Sequence, residues 1–454
     1  MQTHLSPEFE GTPQGEEAQA IVRKCVHCGF CNATCPTYQL LGDELDGPRG
    51  RIYLIKQVLE GGEVTRSTQQ HLDRCLTCLN CQTTCPSGVE YGHLVEIGRQ
   101  IVDARVQRPL LERTVRWLLG EGLTSALFAP AMRVGQALRP LLPRVLKNKV
   151  PPRPAAQGFA AQGSAAQHTA APHGAEAHGT EAPLRVHQRT ILMLRGCVQP
   201  SMMPNIDRAA VRVLDRAGIR TVFASGTGCC GAVRTHLSDP DGSIEDMRRN
   251  IDAWWPIVSA GGVHAIVASA SACSLAIKEY AHALSGDAAY ADKAARISAL
   301  ARDLSELLPQ LLPVLQGRMR SGGPRRLAFH APCTLQHGQK LKGGLEAGLR
   351  TLGFEVDVAN SESHWCCGSA GTYSVLQPDL ALELRDRKLE LLAKLGPQYI
   401  VSANVGCIQH LQSGTRIPVK HWMEVLDEAL LPESGAAATA MAAATAGAAG
   451  GGAA

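Results

Sequence analysis

One cysteine pattern, written twice, constrains this 454-residue chain more than any other feature. Cys25, Cys28, Cys31 and Cys35, closed by Pro36, recur fifty residues later as Cys75, Cys78, Cys81 and Cys85, closed by Pro86. Two-residue gaps let three thiolates curl round one corner of an iron–sulfur cubane. The fourth cysteine, led away by proline, leaves that loop and points at the neighbouring cluster. The spacing therefore puts Cys25, Cys28, Cys31 and Cys85 on one [4Fe–4S] cluster, and Cys35, Cys75, Cys78 and Cys81 on a second. Zinc knuckles and disulfides are the competing uses, but zinc sites rarely repeat a four-cysteine run with proline closing each copy.

The length suggests about three domains. Sixteen cysteines could form a disulfide framework in a small secreted protein. This chain is large, and its polar N-terminal segment (1–20) has no apolar signal core, so reduced thiols in the cytoplasm fit better. A net charge of +4 gives no case for nucleic acid as a partner, and no apolar run reaches membrane length. Residues 151–187 form an Ala/Gly/Pro-rich linker, and 432–454 an Ala/Gly tail expected to be disordered. Residues 106–150 read as a basic amphipathic helical extension, with Trp117, Leu118, Leu119, Leu141 and Leu142 among Arg113, Arg116, Arg133, Arg139, Arg144, Lys147 and Lys149. Such a helix suits peripheral contact with an anionic membrane. The preferred reading is packing on the N-terminal domain or on a partner subunit.

The other eight cysteines also repeat. Cys197, the pair Cys229-Cys230 before Gly231, and Cys273 match Cys333, the pair Cys366-Cys367 before Gly368, and Cys407, at offsets of 134–137 residues. Two copies of one module follow, at 188–320 and 325–431. Each single cysteine ends a β-like apolar run. Helical stretches such as 205–217 feed short strands (219–224 and 354–359) that lead into each Cys-Cys-Gly. Strand–helix–strand alternation gives a parallel sheet, with all four cysteines at its carboxyl edge, where open α/β sheets bind ligands. Adjacent thiols can bridge different irons of an open cluster, and the glycine after them lets the backbone approach. A vicinal disulfide, a zinc site and buried thiols stay open beside a further iron–sulfur or metal centre.

Gly226-Thr-Gly228-Cys-Cys-Gly231 mimics a dinucleotide loop, but the second module has Ser361-Glu-Ser-His364-Trp365 there, so the glycines are not part of the shared unit. Without another nucleotide loop, substrate oxidation falls to a different chain, and no catalytic residue is expected here. His27, His330 and His364 neighbour cysteines and are expected to be surface or hydrogen-bonding residues, not ligands.

The full pattern resembles the iron–sulfur subunits that serve flavin dehydrogenases of small hydroxy acids and glycerol phosphate, and heterodisulfide reductase subunits. Within that family it is most similar to the glycolate oxidase (glycolate dehydrogenase) type, from about Ile21 to Leu431 outside the linker. The resemblance rests on Cys25-Val-His-Cys-Gly-Phe-Cys31, on the string from Pro36 to Tyr53, on Asn250-Ile-Asp-Ala-Trp-Trp-Pro256 and on Cys333-Thr-Leu-Gln-His337. It implies an α+β multidomain chain: a helical two-[4Fe–4S] ferredoxin domain (21–105), then two α/β Cys-Cys-Gly modules with parallel sheets. It further implies an electron-transfer subunit in a hetero-oligomer, with FAD on partner subunits only and quinone or another acceptor, placed at the inner face of the cell membrane. Sibling complexes use lactate or glycerol 3-phosphate. Heterodisulfide reductase modules end in Cys-x-x-Cys and carry five thiols. Here Ala270 and Asn404 stand where the extra cysteines would be, which argues against thiol–disulfide catalysis and leaves four thiols per module.

Overall fold

The computed structural model describes residues 1–143, 147, 149–152, 187, 189–320 and 322–431. Most of the expected linker and all of the Ala/Gly tail lie outside the described residues.

The N-terminal domain is helical. Helix Pro13–Lys24 starts where the Thr12 side chain accepts a hydrogen bond from the Gly15 N–H and Pro13 occupies the first turn. Its Ala18, Ile21 and Val22 pack with Ile52, Ile55, Val58 and Leu59 of helix Pro48–Leu59 and with Leu94, Val95, Ile101 and Val102 of helix Tyr91–Arg105. Each such side chain contributes about 1.5–3 kcal/mol by leaving water. Phe9 joins the same core. The polar segment 1–20 is thus tied to this core through Phe9 and Ala18, with Met1 and Leu5 packed against it.

The extension consists of helices Leu110–Thr124 and Phe128–Ala137. Arg108 and Arg116 reach Asp73 of the N-terminal domain at 2.6 and 2.8 Å, while Glu121 pairs with Arg234 of the first module at 2.7 Å. It thus straps the domain to the module. Leu110, Leu111, Trp117, Leu118, Leu127 and Leu141 remain exposed on it.

The first module holds β1 (Arg189–Leu194), β2 (Ile219–Val222), β3 (Val263–Ala268) and β4 (Ala301–Asp303) in the order β2-β1-β3-β4. The second holds β5 (Arg326–Phe329), β6 (Glu355–Asp357), β7 (Tyr399–Ser402) and β8 (Val419–His421) in the order β6-β5-β7-β8. Every pairing is parallel. The last four residues of β1 and of β3 are all buried, as expected of strands covered on both faces. Helix Pro204–Arg216 sets Ile206, Ala209, Ala210, Val213 and Leu214 inward and packs on helix Trp422–Ala429 of the other module. Arg212 and Arg216 both donate to Asp427, at 2.9 and 3.0 Å. The two modules therefore share one core.

Two cysteines sit differently from expectation. The strands stop at Ala268 and Ser402, and Ala270 and Asn404 cap the next helices with extended backbone. Cys273 and Cys407 therefore lie in helices Ser271–Lys278 and Val405–Gln412, not at strand ends.

Candidate electron-transfer centres

In the N-terminal domain the duplicated runs adopt a duplicated backbone. His27 and Gly29 in the first run, and Thr77 and Leu79 in the second, are all left-handed. Non-glycine residues pay for that conformation and persist in it where the surroundings over-determine the loop, typically at functional sites. Short helices Phe30–Thr34 and Asn80–Thr84 follow and pack on each other, with the Asn80 amide donating to the Thr34 carbonyl at 2.8 Å. This mutual packing exchanges the fourth cysteines. One cavity is lined by Cys25, Cys28, Cys31 and Cys85, with Cys81 also on its wall. A second is lined by Cys35, Cys75, Cys78 and Cys81.

The two thiol sets differ in surroundings. Cys28 is exposed beside Val26 and Phe30, and burial, then Cys25, pushes the Cys31 thiol up to about 11. The second set is enclosed. Burial pushes Cys78 and Cys81 well up, whereas at Cys75 burial is outweighed by the Arg51 and Arg99 guanidiniums, which hold its thiol below the ordinary range. Arg51 is 1% exposed. It donates to the His71 carbonyl at 2.7 Å and faces Asp46 at 3.5 Å. Arg99 donates to the Cys75 carbonyl at 2.6 Å and to Thr77 at 3.0 Å. Tyr91 O–H reaches the Cys75 thiol at 3.6 Å. Two buried cations and a phenol thus favour negative charge on this set. Sequence reasoning missed these residues; Arg51 lies inside the string that carried the resemblance, but nothing in its spacing tells a buried cation from a surface one.

In each module the four thiols converge, linked in the orders Cys197–Cys229–Cys230–Cys273 and Cys333–Cys366–Cys367–Cys407. Cys333 and Cys366 lie 3.7 Å apart, and the Gly368 N–H donates to Cys366 at 3.4 Å. Hydrogen bonds from their neighbours hold Cys229 and Cys366 low. Asn250 fixes the first pair: its amide donates to the Cys229 carbonyl at 2.6 Å and accepts from the Gly228 N–H at 2.9 Å. The apparent nucleotide glycines therefore serve the cysteine loop. In the second module Gln336 ties the two loops together, donating to the Ala331 and Ser363 carbonyls at 3.0 and 3.3 Å. Asn404 donates to the Cys407 thiol at 3.6 Å from the place where a fifth cysteine would sit.

The histidines part company. His27 is exposed and His364 half-buried, its carbonyl facing His337 at 2.9 Å. His330 is buried, with burial holding its imidazole down at about 3, and it lies among the second module's thiols. Leu76, Trp365, Cys366 and Tyr373 form one buried cluster with Cys78 and Cys333 packed on it, so the second N-terminal thiol set abuts that of the second module.

Residues 21–89 match the model of the 4Fe-4S dicluster domain, and residues 191–278 and 327–412 that of the Cysteine-rich domain. The glycolate oxidase iron-sulfur subunit of Escherichia coli (strain K12) is 51% identical over 446 residues, spanning 95% of this chain and 100% of that one. This chain belongs to the glycolate oxidase iron–sulfur subunit family. A probable glycolate oxidase iron-sulfur subunit of Bacillus subtilis (strain 168) is 27% identical, over 86% of this chain and 88% of its own. The crystal structure of a hypothetical protein from Helicobacter pylori shares the fold at a TM-score of 0.52 and 9% identity, over 95% of this chain and 75% of that one. As in its family, the chain is an iron–sulfur component of an oxidoreductase complex, with an electron-transfer role. The donor chemistry fits that class: thiol sets converging on two cavities, with buried guanidiniums beside one of them.

Proposed function

We propose that this chain receives electrons from an FAD-bearing subunit that oxidises glycolate to glyoxylate, and passes them toward quinone at the inner face of the cell membrane. Cys25, Cys28, Cys31 and Cys85 would hold one [4Fe–4S] cluster and Cys35, Cys75, Cys78 and Cys81 another. Such clusters supply one-electron carriers whose potentials respond to charge and burial. The chain's residues do the rest: Arg51 and Arg99 favour the anionic form of the second set, and Asn250 holds the Cys229-Cys230 loop of the first module in place.

The observation that carries the reading is the packing of Cys78 and Cys333 on one buried cluster that contains Cys366, which brings the second N-terminal thiol set beside that of the second module. Among the described residues no helix is long and apolar enough to cross a membrane. The exposed leucines and Trp117 of the extension suit peripheral docking beside it.

The test is reconstitution of the full chain with its FAD-bearing partner. Glycolate should bleach the chain's iron–sulfur absorbance only when the flavoprotein is present. Reduction by glycolate without flavoprotein would overturn the assignment, and reduction by lactate or glycerol 3-phosphate instead of glycolate would reassign the substrate.

A further inference from the structure

The two modules repeat their cysteines but not what lies beside them. His330, three residues before Cys333, corresponds to Leu194, three before Cys197. Ser402, the last residue of β7, corresponds to Ala268, the last of β3. The first module therefore has an apolar pair at this place, both members at most 2% exposed. The second has an imidazole and a hydroxyl, also buried, with His330 Nδ1 at 3.1 Å from Ser402 Oγ.

That contact occupies one ring nitrogen. The other, Nε2, is buried without any hydrogen-bond partner. A nitrogen kept from water with nothing to bond carries its full desolvation penalty, and Leu194 shows that the fold accepts an aliphatic residue at the equivalent place. The orphan has neighbours of one chemistry: a His330 ring nitrogen and the thiols of Cys367 and Cys407 all lie within 4.8 Å of one another. A histidine whose Nδ1 is fixed by a hydrogen bond, whose Nε2 is buried without a partner and whose ring lies beside two thiols has the makings of a metal-ligating imidazole.

We infer that His330 Nε2 is a metal ligand in the second module, completing a five-donor set with Cys333, Cys366, Cys367 and Cys407, while the first module keeps four thiolates alone. The inference rests on the reading that the module thiols hold a metal centre. Mixed thiolate and imidazole donors suit either an iron of a cluster or a zinc ion. The proximity of Cys78 favours the cluster. The two modules would then differ in redox role despite their shared ancestry in sequence.

The experiment uses the full chain, labelled with 15N-histidine and reconstituted anaerobically with iron and sulfide, as wild type, His330→Leu, His330→Cys and Cys367→Ser. Pulsed paramagnetic resonance of the reduced wild type should show a directly bound histidine nitrogen. The coupling should vanish in His330→Leu and in His330→Cys, the latter keeping its metal and its protease resistance because a thiol replaces the imidazole. If the site takes zinc, absorption at the zinc edge should show a nitrogen ligand that His330→Leu removes, which supports the same assignment. Nitrogen coupling that survives in His330→Leu would overturn it. So would a wild type whose metal content falls in Cys367→Ser but which shows neither nitrogen coupling nor a zinc-edge nitrogen ligand, because the centre then exists without the histidine. Unchanged metal content in Cys367→Ser would overturn the underlying reading as well.

Discussion

Substituting alanine for the glycine after each cysteine pair should separate the two modules sharply. Gly231 and Gly368 both hold left-handed backbone, at φ +93° and +88°. An added Cβ costs about 1–2 kcal/mol at either place from conformation alone. The surroundings then differ. At Gly231 the Cβ would lie 2.9 Å from Ser243 Oγ and 3.2 Å from Met247 Cε, side-chain atoms able to turn aside, with the nearest backbone atom, the Ser243 carbonyl oxygen, at 3.3 Å. At Gly368 it would lie 2.4 Å from the Ala381 carbonyl oxygen and 3.0 Å from its Cα, inside helix Pro378–Ala393, where only a shift of the whole helix gives relief. Overpacking of this kind adds roughly 1–3 kcal/mol. Gly368→Ala should therefore cost roughly 2–5 kcal/mol and Gly231→Ala about 1–2. Because the Gly368 N–H donates to the Cys366 thiol, the same shift should loosen any metal held there. Thermal unfolding, limited proteolysis of residues 325–431 and metal content measure the outcome. Equal losses for the two variants, or a wild-type profile for Gly368→Ala, would refute the steric reasoning.

Replacing Cys35 by Ser should disturb the spectrum of the cluster assigned to Cys75, Cys78 and Cys81, and leave that of Cys25, Cys28 and Cys31 intact; the reverse pattern would show that the fourth cysteines are not exchanged. Arg51→Met removes a buried cation beside Cys75 and one partner of Asp46, which keeps Arg74 at 2.8 Å. It should cost about 3 kcal/mol and lower the potential of the second cluster, read by redox titration; an unchanged potential would contradict the electrostatic role. Asp207 is raised to about 6, chiefly by burial against hydrogen bonds from Ser269 and Gln199. A carboxyl raised above its unfolded value stabilises below about pH 4 and loses that contribution as pH rises through about 6, a loss of about 3 kcal/mol. Asp207→Asn should remove this slope from a plot of stability against pH, and an unaltered slope would show that another group carries it.

The cysteine spacings were sufficient to place the sixteen thiols in groups because ligand geometry acts locally, through two- and three-residue gaps. The parallel sheets were legible from alternation, and β1 and β3 are short apolar runs of the kind a covered parallel sheet buries; the strand order was not read from the sequence. What escaped depends on contacts distant in sequence. Nothing near Phe9 announces that it packs under helix Pro48–Leu59, and nothing near Arg99 announces the Cys75 carbonyl. His330 looked like a supporting residue because its relation to Cys367 and Cys407 spans separate strands and loops. The edge strands β4 and β8, three residues each, carry too little pattern to be read without their neighbours.

The two duplications also diverge in a way that gives the proposed electron path a direction. In the first run the loop opens to solvent through Val26 and Phe30, 68% and 61% exposed. In the second, Leu76 is buried under Trp365 and Tyr373, whose hydroxyl donates to the Arg74 carbonyl at 3.1 Å. One motif thus opens to solvent and the other faces this chain's own module. Past that contact, Cys367 and Cys407 share a buried cluster with Ala270, against which Cys273 packs, so the line of thiols crosses between the modules through their common core. It ends at Cys197 and Cys273, which are half-buried. On the proposed reading, a line of thiols open to solvent at Cys28 and half-buried at Cys197 and Cys273 would exchange electrons at two separate places. The shared core, with Asp427 binding Arg212 and Arg216 across it, holds those middle sets at fixed separation. A chain that linked the same modules flexibly could carry as many thiols without offering a continuous route.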